Sequence, residues 1–102
     1  MSVINITKAN YDEIKNGDKV VLIDFYADWC GPCRMMAPVV HEIAEENENI
    51  VVGKINVDDE PALAQEYGVM SIPTLVVLKG GKEVTRATGA RPKAQVLAML
   101  DK

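Results

Sequence analysis

Two cysteines, separated by only two residues, are the most chemically reactive pair of side chains in this sequence. They lie in the segment Cys30-Gly31-Pro32-Cys33, and the 102-residue chain contains no other cysteine. Four interpretations compete: a structural disulfide, part of a zinc site, two inert core thiols, and a redox-active dithiol that exchanges disulfides with other molecules. The surroundings of the pair determine how well each interpretation fits.

The first three interpretations fit the segment less well than the fourth. A disulfide that closes so small a loop gains only about 2 kcal/mol in the chain-entropy model, against about 4.7 kcal/mol for a loop of 100 residues. A structural zinc site needs about four ligands, and the single histidine, His41, leaves such a set incomplete. Inert core thiols would not require a Trp-Cys-Gly-Pro-Cys turn between a strand and a helix. All three remain open at this point.

The redox interpretation agrees with the local geometry that the sequence predicts. Residues i and i+3 at the start of a helix fall within the Cα separation of about 4.4–6.8 Å that a disulfide needs. Cys30 is expected just before the first helical turn, where unpaired N–H groups and the helix dipole stabilise a thiolate. The thiolate is the nucleophile of disulfide exchange. Cys30 is therefore predicted to attack, and Cys33, one turn deeper, to resolve the mixed disulfide.

Short strands alternate with helices along the chain and must position this pair. The pattern predicts five strands, at Val3–Ile6, Val20–Ala27, Ile50–Val57, Thr74–Leu78 and Glu83–Thr88. Helices are predicted at Tyr11–Lys15, from about Cys33 to Glu46 with an internal Pro38, from an N-cap within Asp58-Asp59-Glu60-Pro61 to Tyr67-Gly68, and from Pro92 to about Leu100. Gly80-Gly81 marks a hairpin turn. Together these elements predict an α/β domain with a mixed sheet.

Length and charge restrict the classes of function. The chain suits one domain, residues 1–102, because domains most often contain about 100–150 residues. Eleven basic and fifteen acidic residues leave a net charge of −4, which argues against a nucleic-acid-binding protein. No apolar run approaches the roughly 18 residues of a membrane span. The first residues lack the features of a signal peptide, so a cytoplasmic location is expected.

Asp24 is the one ionisable residue in the apolar run from Val20 to Ala27. If its side chain is buried, its pKa is raised because burial disfavours the charged form. It could then act as a general base and acid that exchanges a proton with Cys33. The alternative is an aspartate that faces solvent from a half-exposed strand.

The order of motifs resembles that of the thioredoxin family along the whole chain. These motifs are Asp24-Phe25-Tyr26-Ala27, Trp29-Cys30-Gly31-Pro32-Cys33, Pro38, Lys54-Ile55-Asn56-Val57-Asp58, Ile72-Pro73-Thr74 and Gly89-Ala90. The resemblance implies a thioredoxin fold, with a five-stranded sheet in the order 1-3-2-4-5 and four flanking helices. One departure is Tyr26, which stands where many members have a first tryptophan.

The resemblance also implies roles for residues outside the cysteine pair. It implies that Asp24 is buried, that Lys54 lies near its carboxylate, and that the Ile72–Pro73 bond is cis. A cis bond would turn the backbone of Ile72 outward to pair with an extended substrate segment. Gly31 and Pro32 set a reducing potential in the family. The implied substrate-docking patch consists of Trp29, Gly31, Pro32, Ile72, Pro73, Gly89 and Ala90.

The function implied by this resemblance is reduction of protein disulfides. The sequence has no GxGxxG motif for a dinucleotide, so no cofactor is expected, and no metal is expected because the zinc ligand set is incomplete. Electrons are expected to come from a thioredoxin reductase, and the protein is expected to act as a monomer on disulfide-containing target proteins. A binding module and an oxidant or isomerase are the alternative functions. His41 is predicted on the surface and the five methionines in the core, with Met70 as an exception because it precedes the Ser71-Ile72-Pro73 loop.

Overall fold

A computed structural model describes residues 2–102. Its strands are β1 (Ile4–Asn5), β2 (Val20–Tyr26), β3 (Ile50–Asn56), β4 (Thr74–Lys79) and β5 (Lys82–Thr88). Its helices are α1 (Tyr11–Lys15), α2 (Gly31–Glu46), α3 (Pro61–Glu66) and α4 (Lys93–Met99). Each of the nine predicted elements is therefore present, with boundaries that differ by at most two residues.

The five strands form one mixed sheet in the order β1-β3-β2-β4-β5, as the resemblance implied. β3 runs parallel to both β1 and β2, whereas β4 runs antiparallel to β2 and to β5. Gly80 and Gly81 connect β4 to β5 with φ values of 61° and 77°. Such positive φ values suit the two-residue turns that join antiparallel strands. The hairpin prediction is therefore confirmed.

Two apolar clusters lie on opposite faces of the sheet. The central strand β2 contributes to both, because successive side chains of a strand point to opposite faces. Leu22 packs with Met36, Val40 and Val96 on the face that α2 and α4 cover. Ile23 and Phe25 belong to the other cluster, which includes Tyr11 of α1 and Leu63 of α3. By this alternation Asp24 and Tyr26 share the face of Leu22. Both side chains therefore lie on the side of the sheet that carries α2.

Two helix starts differ in detail from the predictions. α2 begins at Gly31 and not near Cys33, because Cys30 is its N-cap and Pro32 stands in the first turn, where its missing N–H costs nothing. α3 begins at Pro61 as expected, but its N-cap is Glu60, whose side chain makes no capping hydrogen bond. The predicted side-chain cap of α3 is therefore absent.

The prediction that the methionines fill the core is only partly right. Met36 and Met99 are buried. Met35 and Met70 have exposed fractions of 70% and 95%, and Met1 lies outside the described residues. The exception made for Met70 is thus confirmed, whereas the exposure of Met35 was not anticipated.

Candidate active site

Cys30 and Cys33 form a disulfide where the chain passes from β2 into α2. Their Cα atoms are 5.3 Å apart, as predicted for positions i and i+3 at a helix start. The backbone N–H of Cys33 donates a hydrogen bond to Cys30 Sγ over 3.2 Å. The Cys30 sulfur thus caps the N-terminus of α2, where a negative charge is stabilised.

The exposed turn beside this disulfide presents Trp29, Gly31 and Pro32. The Trp29 side chain has an exposed fraction of 69%. Its indole N–H donates a hydrogen bond to Asp58 Oδ2 over 2.8 Å, which ties the ring to the loop that follows β3. Asp58 therefore orients Trp29, a contact between distant parts of the chain that no local pattern in the sequence could predict.

The loop before β4 approaches the disulfide from the other side. The Ile72–Pro73 peptide bond is cis, as the resemblance implied, and the carbonyl oxygen of Ile72 lies 3.9 Å from Cys30 Sγ. The backbone N–H of Gly89 donates to the carbonyl oxygen of Pro73 over 2.8 Å. Residues from three loops therefore meet beside Cys30, and Ala90 follows as an exposed residue.

A groove lies next to the disulfide and has mainly apolar walls. It is lined by Trp29, Val57, Val69, Met70, Ser71 and Ile72. Pro73 is buried behind this surface, whereas Met70, Ser71 and Ile72, which precede it in the same loop, are accessible. Sequence reasoning did not identify Val57 and Val69, because the ends of strands and helices carry no signal for a shared groove.

Asp24 is buried beneath α2 with an exposed fraction of 5%. Burial raises its pKa from 3.8 to about 7, and the positive charge of Lys54 opposes part of this rise. Among the described residues, Asp24 Oδ1 is a buried side-chain oxygen without a hydrogen-bond partner. The prediction that Asp24 is buried with a raised pKa is therefore confirmed.

A cavity of about 340 Å³ is bordered by both Asp24 and Cys33. Its walls are formed by Ser2, Val3, Asp24, Tyr26, Cys33, Ala37, Val40, His41 and Lys54. Its walls are mainly apolar, but Asp24, Tyr26 and Lys54 contribute polar groups, and a cavity of this size can hold water that bridges such groups. Asp24 of β2 and Cys33 of α2 therefore face the same cavity.

Lys54 stands opposite Asp24 in the register of β2 and β3. Its Nζ lies 5.5 Å from the centroid of the Tyr26 ring. The side chain of Asn56 lowers the pKa of the Tyr26 hydroxyl, against the larger opposing effect of burial. Sequence reasoning placed Lys54 near Asp24, but it treated Tyr26 only as a departure from the family and did not single out Asn56.

His41 lies on the exposed side of α2, as predicted, with its Nε2 3.3 Å from a carboxylate oxygen of Glu45. Within residues 2–102, no group of three or more His, Cys, Asp and Glu side chains is placed to hold a metal ion.

Comparison with known proteins agrees with this geometry. The sequence profile described as Thioredoxin matches residues 2–102. The chain belongs to the thioredoxin family. It is 52% identical over 104 residues to the thioredoxin of Pyropia yezoensis, with 100% of this chain and 97% of that one covered. It is 48% identical over 100 residues to the thioredoxin of Alicyclobacillus acidocaldarius, with 97% and 95% covered.

A solved structure extends this similarity to three dimensions. The thioredoxin of Malassezia sympodialis matches with a TM-score of 0.89 and 36% identity, over 98% of this chain and 90% of that one. Family membership and the Cys30–Cys33 pair together make this protein a thiol-disulfide oxidoreductase that reduces protein disulfides. In the described part of the chain, no helix has the length and apolar character needed to span a membrane.

Proposed function

We propose that this protein is a general protein-disulfide reductase in which Cys30 attacks the target, Cys33 resolves the mixed disulfide and Asp24 exchanges the proton. The observation that carries the proposal is the hydrogen bond from the Cys33 N–H to Cys30 Sγ at the N-terminus of α2. In the reduced protein, this N–H and the helix dipole favour a thiolate on Cys30.

In the first step, the Cys30 thiolate attacks one sulfur of the target disulfide. A bond forms between Cys30 Sγ and that sulfur, and the other target sulfur leaves as a thiolate. In the second step, Cys33 loses its proton and attacks Cys30 Sγ. The Cys30–Cys33 bond forms, the second target sulfur leaves, and two electrons have passed to the target. The disulfide of the present structure is the product of this half-cycle.

Asp24 is the group best placed to accept the proton of Cys33. Both residues border the same cavity, and a base with a pKa of about 7 can take up and release protons near neutral pH. The positive charge of Lys54 lowers the pKa of Asp24 and so keeps part of the carboxyl population ionised. We assign Lys54 this electrostatic role, and Gly31 and Pro32 the tuning of the reduction potential.

The target is expected to bind across the surface beside Cys30. Trp29 and Ile72 line the apolar groove, while Pro73 and Gly89 support it through their backbone hydrogen bond. The backbone of Ile72 is available to an extended target segment, and Ala90 completes the rim of the patch. An extended segment that pairs with exposed backbone is a common mode of peptide recognition.

The Cys30–Cys33 disulfide must be reduced again to the dithiol after each cycle. We infer that a thioredoxin reductase supplies the electrons, and that the protein acts in the cytoplasm, where thiols are kept reduced. Residues 1–102 are inferred to act as one domain and as a monomer, because the groups assigned to catalysis and docking all come from a single chain.

The reduction potential of the Cys30–Cys33 couple, measured by equilibration with glutathione, tests the direction of electron flow. We expect about −270 mV, the value characteristic of thioredoxin itself. A value of about −180 to −120 mV, where isomerases and strong oxidants lie, would contradict the proposed role as a reductant.

The docking surface is tested by Ala90→Glu, which adds a charge to the rim. We expect the KM for a folded protein disulfide to rise about tenfold, corresponding to about 1.4 kcal/mol of lost binding. Ala98→Glu makes the same change at an exposed position of α4 and serves as the matched control. Equal KM values for the two variants would exclude Ala90 from the docking surface.

A further inference from the structure

We propose that the aromatic ring of Tyr26 is a positioning element, which holds the Lys54 ammonium beside the cavity shared by Asp24 and Cys33. The proposal rests on the roles assigned above to Asp24 and Lys54. It extends them to a residue that does not touch the reacting sulfurs, and it assigns the effect to the ring and not to the hydroxyl.

The register of β2 with β3 brings the side chains of Asp24, Tyr26 and Lys54 together. Asp24 pairs with Lys54, and Tyr26 pairs with Asn56 two positions further along. Because alternate residues of a strand share a face, all four side chains lie on the same face of the sheet. Tyr26, Lys54 and Asp24 also border the same cavity.

The contact between Lys54 and Tyr26 has the geometry of a cation–π interaction. Lys54 Nζ lies 5.5 Å from the ring centroid, inside the limit of about 6 Å for such contacts. Within residues 2–102, no hydrogen bond or ion pair fixes the Lys54 ammonium. A lysine on a flexible stem otherwise extends toward water, where its charge acts more weakly on a buried carboxylate. The ring therefore supplies the contact that keeps this charge near Asp24.

Several charged and titratable groups surround these residues. Cys33 and His41 of α2 face the cavity from above the sheet, and Lys54 faces it from β3. Asp28 and Asp59 act on Tyr26, whose pKa is raised mainly by burial. The phenol thus remains neutral near neutral pH. The hydroxyl therefore carries no charge that could act on Asp24, whereas the ring face contacts the Lys54 ammonium.

The proposal is tested by titrating the Asp24 carboxyl group of the oxidised protein by carbon NMR, which requires no turnover. Tyr26→Leu removes the ring, and we expect it to raise the pKa of Asp24 by about half a unit. Tyr26→Phe keeps the ring and should leave this pKa unchanged. Lys54→Met should raise it at least as much as Tyr26→Leu. In the Lys54→Met background, Tyr26→Leu should add nothing.

Each other outcome overturns a distinct part of the argument. If Lys54→Met shifts the pKa of Asp24 but Tyr26→Leu does not, the ring does not position Lys54, whereas the assigned role of Lys54 stands. If Tyr26→Phe shifts it as much as Tyr26→Leu, the hydroxyl and not the ring is responsible. A shift by Tyr26→Leu that persists without Lys54 would mean that the ring acts by excluding water. If Lys54→Met has no effect, the assigned role of Lys54 fails and the proposal for Tyr26 fails with it.

The pH dependence of the resolving step provides a second readout. A mixed disulfide on Cys30 is released by Cys33, and the release can be followed by the fluorescence of Trp29, the only tryptophan in the chain. We expect the midpoint of the rate profile to move upward in Tyr26→Leu by about half a pH unit. Tyr26→Phe should keep the midpoint of the wild type. A loss of rate at every pH without a shifted midpoint would indicate a merely structural role.

Discussion

Cys33→Ser is expected to turn the protein from a catalyst into a covalent trap for its targets. The Cys30 thiolate can still attack a target disulfide, but no second thiol lies in the adjacent turn to release the product. The mixed disulfide should therefore accumulate to about one equivalent, while catalytic turnover falls to background. Mass spectrometry of the protein after incubation with a disulfide-containing protein measures the fractions of mixed disulfide and of free variant.

Cys30→Ser is the matched control for this experiment. It also removes one sulfur of the pair, yet the remaining Cys33 is buried and lies inside α2, away from the capping position. This variant should show neither turnover nor accumulation of a mixed disulfide. Trapping by Cys30→Ser, or normal turnover by Cys33→Ser, would contradict the assigned order of attack.

Asp24→Asn is expected to stabilise the oxidised protein strongly at pH 8 and much less at pH 5. In the folded state the pKa of Asp24 is raised from 3.8 to about 7. The folded protein therefore binds more protons than the unfolded chain between these values, and its stability falls as pH rises through this range. A shift of this size corresponds to about 4 kcal/mol that the wild type has lost by pH 8.

Urea denaturation at both pH values, followed by Trp29 fluorescence, measures this difference in the free energy of unfolding. Asp28→Asn makes the same change at a nearby exposed position and should leave the pH dependence of the wild type intact. If Asp24→Asn retained the full decrease in stability between pH 5 and pH 8, another group would have to cause it. The buried carboxylate would then not be the main acid–base group of the core.

The parts of the site that lie close together in sequence could be predicted from it. The spacing of Cys30 and Cys33, their place at a strand–helix junction and the single acidic residue in an apolar strand each have a direct physical meaning. The family resemblance added what composition cannot provide, such as the cis bond before Pro73 and the partnership of Asp24 with Lys54.

Other features depend on packing between elements and could not be predicted. The hydrogen bond from Trp29 to Asp58 joins residues 29 positions apart, and neither residue signals the other. The contact between Lys54 and the Tyr26 ring requires the register of β2 with β3. The start of α2 was placed two residues late because Gly and Pro normally weaken a helix, whereas at the first turn Pro32 is tolerated.

The strands of the sheet have two ends, and the disulfide lies at only one of them. At that end β2, β3 and β5 finish and β4 begins, so the adjoining loops lie together beside the disulfide. The hairpin turn at Gly80-Gly81 lies at the opposite end of the strands. The Lys79 ammonium at that end donates a hydrogen bond to the carbonyl oxygen of Lys102 over 3.2 Å. A reporter peptide inserted at this hairpin would therefore project away from the dithiol. The end of the sheet with the hairpin turn is thus available for attachment to a surface, a label or a larger assembly. The end with the disulfide stays free to bind target proteins.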